Sequence, residues 1–159
     1  MKLREFSCEL WLPRPVCEVF PFFSNAANLE RLTPPWVNFR ILSPQPILMK
    51  QGALIDYRLR VRGVPVRWQS EITVWEPQRR FVDEQRRGPY RLWHHEHTFE
   101  PRDGGTLCRD VVKYAVWFDF PLHGLLVRPE IERIFEFRQR ELGRFFSQTT
   151  RLDTVGLSR

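Results

Sequence analysis

From Arg4 to Leu12 the chain alternates, with Phe6, Cys8, Leu10 and Leu12 on one side and Glu5, Ser7, Glu9 and Trp11 on the other. A period of two predicts a strand with one buried face. Pro13-Arg14-Pro15 ends it, and Pro15 suits the first turn of a helix in which Val16, Val19, Phe20 and Phe23 recur at helical spacing. Ser24-Asn25 closes that helix or caps a second short one carrying Leu29 and Leu32, and Pro34-Pro35 ends the helical region. The period then returns to two. Phe39 to Leu42 predicts a short strand. Ile55, Tyr57, Leu59 and Val61 alternate with Asp56, Arg58, Arg60 and Arg62, and a turn follows at Gly63-Val64-Pro65. Trp68, Ser70, Ile72 and Val74 share one face of a strand over 66–75. Turns at Glu76-Pro77-Gln78, Gly88-Pro89 and Asp103-Gly104-Gly105 separate strands over 80–86, 91–100 and 106–117. The chain ends on a helix near 130–149, with Pro129 at its start and Ile131, Ile134, Phe135, Leu142, Phe145 and Phe146 on one face. This order predicts an α+β fold: a seven-stranded antiparallel sheet curved around a long C-terminal helix, with two short helices between the first and second strands.

With 159 residues, 42% of them hydrophobic, the chain can bury one sizeable core. We expect a single domain over 1–152 and a tail over 153–159. No apolar run approaches the roughly 18–20 residues of a membrane helix. Met1 to Glu5 lacks the apolar core of a signal peptide, which points to the cytoplasm. The net charge is +6, and only Lys2, Lys50 and Lys113 of the 25 cationic residues are lysine. Arginine forks onto carboxylates and phosphates, so an anionic partner is allowed without being required. Three cysteines without CxxC spacing exclude a disulfide framework or a zinc ribbon.

Several segments carry a resemblance: Asn28 to Trp36 (NLERLTPPW), Phe81 to Gln85 (FVDEQ), Gly88-Pro89-Tyr90 with Trp93 to His97 (WHHEH), and Ile134 to Arg138 (IFEFR). With the order of elements, they resemble the helix-grip fold of the START-like, or SRPBCC, superfamily over about residues 3–150. Within it they look like an uncharacterised bacterial branch described as cell-division-inhibitor-like. The resemblance implies a ligand cavity between the sheet and the long helix. It makes the first and last strands neighbours, so Cys8 and Cys108 are the one plausible disulfide pair, although we expect all three thiols to be free. The superfamily spans carriers, receptors and enzymes, so fold alone does not choose among them.

On the last helix, at about 100° per residue from Ile131, Arg138 falls near 340°, inside the apolar stripe. A guanidinium there is costly unless it is paired. Either it pairs with Asp83, the first choice, or with Glu96 or Asp110, or it reads an anionic or carbonyl group of a ligand. Trp93, His95, His97 and Phe99 share one strand face. Two histidines at i and i+2 suit a metal, an acid/base pair, a polar pocket wall or a purely structural role. No third or fourth metal ligand stands out by spacing, so the expectation is no metal. Phe81, Asp83 and Gln85 share a face. If it turns inward, Asp83 is a general base or the counter-ion of Arg138, and otherwise it lies on the outer face. Tyr57, Trp68 and Tyr114, with Phe135 and Leu142 opposite, suit a pocket lining and ordinary core packing equally. Arg58, Arg60 and Arg62 form a basic ladder, read as an anion stripe or a solvated face. The chain has no phosphate-loop, dinucleotide-binding, nucleophile-elbow or HExxH motif.

The expected function is binding of a small hydrophobic or amphipathic molecule, as carrier or sensor, by Tyr57, Trp68, Asp83, Gln85, Trp93, His95, His97, Tyr114, Phe135, Arg138 and Leu142. The alternative is a cyclase, dehydratase or hydrolase using Asp83, His95 or His97 as acid and base. No cofactor and no specific nucleic-acid partner is expected, and the protein is expected to be a monomer or homodimer.

Overall fold

The alternating start of the chain forms strand β1 (Arg4–Leu12), with its apolar side chains turned to one face. The computed structural model then follows with helices α1 (Val16–Phe23) and α2 (Asn28–Leu32) and a 3-10 turn at Pro35–Val37. Strands β2 (Arg40–Ile41), β3 (Leu54–Val61), β4 (Val64–Glu76), β5 (Arg80–Arg87), β6 (Leu92–Arg102) and β7 (Gly105–Ala115) come next, and helix α3 (His123–Val155) closes the chain. The structure describes residues 2–117 and 123–155, and within α3 the side chains of 126–147. The tail expected over 153–159 is helical to Val155, and its remainder lies outside the described residues.

All strand pairs are antiparallel, in the order β1-β7-β6-β5-β4-β3-β2. The first strand thus closes against the last, and β6, which carries the histidines, sits between β5 and β7. Two hairpins are set by paired left-handed residues, Arg62 and Gly63 at φ 51° and 85° and Asp103 and Gly104 at φ 50° and 74°. Positive φ at both central positions matches the twist of the flanking strands. The first of these turns therefore lies one residue earlier than the sequence suggested, and Val64 and Pro65 open β4.

Two other expectations are corrected. Val74 does not continue the inner face of Trp68, Ser70 and Ile72. The register shifts between Ile72 and Val74, so that Trp75 opposes Phe81 and packs into the core instead. An extra residue reverses the alternation beyond it. Helix α3 begins at His123, placing Pro129 inside the helix rather than at its start. A proline removes one helical hydrogen bond, and the continuous helix absorbs that loss near its N-terminal end. Among the described residues no helix is long and apolar enough to cross a membrane.

The core lies between the sheet and α3. Phe20 and Phe23 of α1 meet Phe81, Phe99, Leu142 and Phe146, and the Phe23 and Phe99 rings stand edge to face at 5.1 Å. Further along α3, Ile131 and Phe135 pack on Val112 and Tyr114. The helical stripe seen in the sequence therefore faces the sheet, except that Phe145 stacks on Phe22 of α1.

Leu142 is 2% exposed at the centre of the phenylalanine cluster. Leu142→Ala is expected to cost about 2–5 kcal/mol in urea unfolding, through lost transfer energy and an unfilled cavity. A cost below about 1 kcal/mol would mean that α3 does not seal this end of the core. The three cysteines are free. Burial, then the charge of Asp110, pushes the Cys8 and Cys108 thiols up to about 12, while Cys17 is exposed. A thiol reagent should label Cys17 promptly in native protein and all three on unfolding. Prompt labelling of Cys108 would contradict this packing.

Candidate functional site

Where α3 crosses the sheet, packing is incomplete and leaves a cavity of about 190 Å³. Its aromatic wall comes from alternate residues of β3, β4 and β6. Tyr57 stacks on Trp68 at 5.9 Å, and Trp68 meets Trp93 edge to face at 5.4 Å. Ser70 Oγ accepts from Trp68 Nε1 at 3.1 Å and shares a hydrogen bond with Tyr57 Oη at 2.8 Å. Burial, first, and the charge of Asp83 raise the Tyr57 phenol well above its ordinary range. On the helix side the cavity meets Ile131, Ile134, Phe135 and Arg138.

The floor is polar. Strand pairing sets Asp83 of β5 opposite His95 and Asp110 of β7 opposite His97, with both histidines pointing inward from β6. The four side chains close a ring. His95 Nε2 bonds Asp110 Oδ1 at 2.9 Å, and His97 Nε2 bonds Asp83 Oδ2 at 3.1 Å. His95 Nδ1 lies 3.3 Å from the same Asp83 oxygen. His97 Nδ1 lies 2.8 Å from Asp110 Oδ1, but off the line a hydrogen bond needs, so that nitrogen is buried without a hydrogen-bond partner. The imidazole rings are 3.8 Å apart, His97 stacks on Phe81 at 4.1 Å, and Phe135 meets His95 edge on. His95 and His97 are only 5% and 3% exposed.

Burial by itself would raise both carboxyls. The charge of His95 beside Asp83, the charges of His97 and then Arg138 beside Asp110, and the ring hydrogen bond that each carboxylate takes outweigh it, and hold both carboxyls below their ordinary range. Burial would likewise lower His95, but the charge of Asp83 and the bond to Asp110 leave it raised. The donor atoms of Asp83, His95 and His97 all lie within 4.8 Å of one another, so this trio has the reach to hold a metal ion.

Arg138 lines the cavity from the middle of the helical stripe, its guanidinium 5.7 Å from the Phe23 ring. The carboxylates expected to pair with it are engaged elsewhere. Asp83 and Asp110 hold the histidines, and Glu96 turns to the other face, where it binds Arg80 at 3.0 Å. Among the described residues no carboxylate lies in salt-bridge range of Arg138, and its buried Nε has no hydrogen-bond partner.

Of the residues singled out in the sequence, Tyr57, Trp68, Asp83, Trp93, His95, His97, Phe135 and Arg138 meet at the cavity. Three take other positions. The Gln85 amide holds the β5–β6 turn, accepting from Tyr90 N and donating to Tyr90 O, and Gly88 leaves the space that amide occupies. Tyr114 is packed behind Tyr90 and Trp93. Leu142 belongs to the phenylalanine cluster beyond the cavity. Ser70 and Tyr90 were not expected at the wall. Ser70 is a small polar residue on an inward strand face, which is the signal that marks it. The basic ladder is not one surface: Arg60 reaches the cavity rim, while Arg62 sits in a turn and donates to Leu126 O at 3.3 Å.

The ring of acids and imidazoles fixes a pH response. Asp83 and Asp110 are depressed, so their contribution is present above the ordinary carboxyl value of 3.8 and is lost as pH falls below it. His95 is raised, so its contribution is complete below 6.5 and is lost as pH rises through its folded value. In chelator-containing buffer, the unfolding midpoint should therefore be highest between about pH 4 and 6.5 and decline on both sides. His95→Gln should lower the plateau and flatten the alkaline decline. An alkaline limb that the substitution leaves unchanged would remove His95 from this account.

Comparison with known proteins places the fold. No curated protein matches the sequence. Among solved structures, the Zhui aromatase/cyclase from Streptomyces sp. R1128 superposes with a TM-score of 0.73 at 14% identity, covering 94% of this chain and 96% of that one. A START superfamily protein from Mycobacterium smegmatis gives 0.67 at 12% identity, over 92% and 98%. The protein Ara h 8.0201 gives 0.67 at 14% identity, over 92% and 99%. These likenesses establish the START and Bet v 1 helix-grip fold. A family model described as "Polyketide cyclase / dehydrase and lipid transport" matches residues 12–142, and the chain belongs to that family.

Proposed function

We propose that the protein binds a small amphipathic molecule in the cavity, its apolar body against Tyr57, Trp68 and Trp93 and an anionic or carbonyl group at Arg138. The observation that carries this reading is Arg138 itself, a cation lining an aromatic cavity with no carboxylate in range and a buried Nε lacking a partner. Asp110 and the Phe23 ring meet this charge only at a distance; a partly buried charge without a direct partner is costly, and a ligand oxygen supplies that contact. The planar guanidinium can grip a carboxylate through two parallel bonds. Tyr57 and Trp68 have their polar atoms already satisfied internally by Ser70, so they offer the ligand mainly apolar surface. Family membership agrees with a cavity that takes small molecules. Carriage or sensing is the role that binding without turnover would serve.

The test uses 2-naphthoate as probe and the uncharged 2-naphthalenemethanol as control, followed by quenching of the cavity tryptophans. Wild-type protein should prefer the carboxylate. Arg138→Ala should weaken naphthoate binding about 10–100-fold, the worth of a bond to a charged group, while leaving the alcohol unaffected. Arg138→Lys should restore only part of it, lacking the planar fork. The melting temperature should change little. Equal binding of both probes by wild type, or a stability loss of about 3–5 kcal/mol in Arg138→Ala as for a broken buried pair, would defeat the proposal. Native mass spectrometry of freshly purified protein then identifies the bound species by mass.

A further inference from the structure

The sequence offered two histidines at i and i+2 without a third ligand to complete a metal site. The strand pairing supplies one, because Asp83 of β5 stands directly opposite His95. We propose that Asp83, His95 and His97 bind one divalent transition-metal ion at the cavity floor, with Asp110 as the carboxylate behind both imidazoles.

Geometry carries the argument. Asp83 Oδ2 lies 3.3 Å from His95 Nδ1 and 3.1 Å from His97 Nε2. Ligands bound at about 2.0–2.2 Å to a four- to six-coordinate ion stand about 3 Å apart, so these donors already have the separation of coordination-sphere edges. Two imidazoles and one carboxylate form the donor set of catalytic zinc and of non-haem iron(II) sites, which leave further positions open. Here the open side is the cavity.

The surroundings fit the same reading. A metal-bound imidazole is normally held by a carboxylate at its other nitrogen. His95 Nε2 and His97 Nδ1 both approach Asp110 Oδ1, at 2.9 and 2.8 Å. Hydrogen bonding within the four side chains does not satisfy them all, since His97 Nδ1 has no aligned partner although the residue is 3% exposed. Asp83 and Asp110 bring two negative charges to a buried floor, and a divalent cation balances them with both imidazoles neutral. The competing arrangement is a metal-free ring closed by the four side chains alone. The metal site is independent of the ligand reading, because its test needs no organic molecule and no change at Arg138.

The experiment titrates chelator-treated, full-length protein with Co²⁺ and with Zn²⁺ by calorimetry, following Co²⁺ by its visible d–d absorption. The expected result is one equivalent per chain, a cobalt spectrum of low coordination number with nitrogen donors, and displacement by Zn²⁺. Asp83→Ala should abolish binding, and Asp110→Asn should weaken it about 10–100-fold with stoichiometry kept. Should Asp83→Ala fail to fold, wild-type protein decides alone. Zn²⁺ should then shift the ring resonances of His95 and His97 and leave those of His94, which bonds Glu84 away from the cavity. No stoichiometric binding by wild type, a full equivalent retained by Asp83→Ala, or shifts confined to His94 would each overturn the proposal.

Discussion

Two imidazoles on strand β6, each held between carboxylates of the strands beside it, are the contact on which the rest of the structure turns. The apolar core would tolerate many arrangements of similar volume. Buried ionisable groups do not, because each must meet a specific partner. The Asp83, His95, His97 and Asp110 ring ties β5, β6 and β7 into one register. A slip by a single residue would turn His95 and His97 outward and bring His94 and Glu96 in. The polar floor thus fixes the sheet at the place where the helix leaves it uncovered.

The cavity follows from what α3 brings to that floor. Ile131 and Phe135 on one side, and Leu142 and Phe146 on the other, fill the space between helix and sheet. Arg138 falls between them on the same stripe, where a leucine would have packed. The sheet also offers Arg138 no carboxylate in direct contact, because its inward carboxylates are held by histidine, and Asp110 feels its charge only from a distance. An apolar wall, a polar floor and one cation without a direct carboxylate partner therefore share a small volume, and each follows from strand alternation or helical spacing.

Most of the fold was legible in the sequence. Most of the longer strands showed a period of two, both short helices were bounded by proline and small polar residues, and the stripe on α3 named the residues it turns to the sheet and the short helices. What escaped was non-local or cost a single residue. The shift after Ile72 replaces Val74 by Trp75 at the core, and no alternation pattern announces one extra residue. The start of α3 was hidden because Pro129 reads as a beginning. At the site, the shared face of His95 and His97 was readable, but not that it turns inward, nor the carboxylates that meet them, since cross-strand partners depend on register. For the same reason Arg138 was visibly in the stripe while its lack of a partner was not.

The arginines of β3 take on another meaning at the margin of the sheet. Strand β2 pairs with β3 only through Arg40 with Arg58 and Ile41 with Tyr57. Beyond these, from Leu59 to Val61, the outer side of β3 has no strand neighbour among the described residues. An open strand edge invites another chain to add to it, and closely spaced like charges are one way such an edge is guarded. Arg60 supplies that guard together with Arg62 in the adjoining turn. A pattern that reads as an anion stripe thus also places like charge beside the unpaired stretch of the sheet margin.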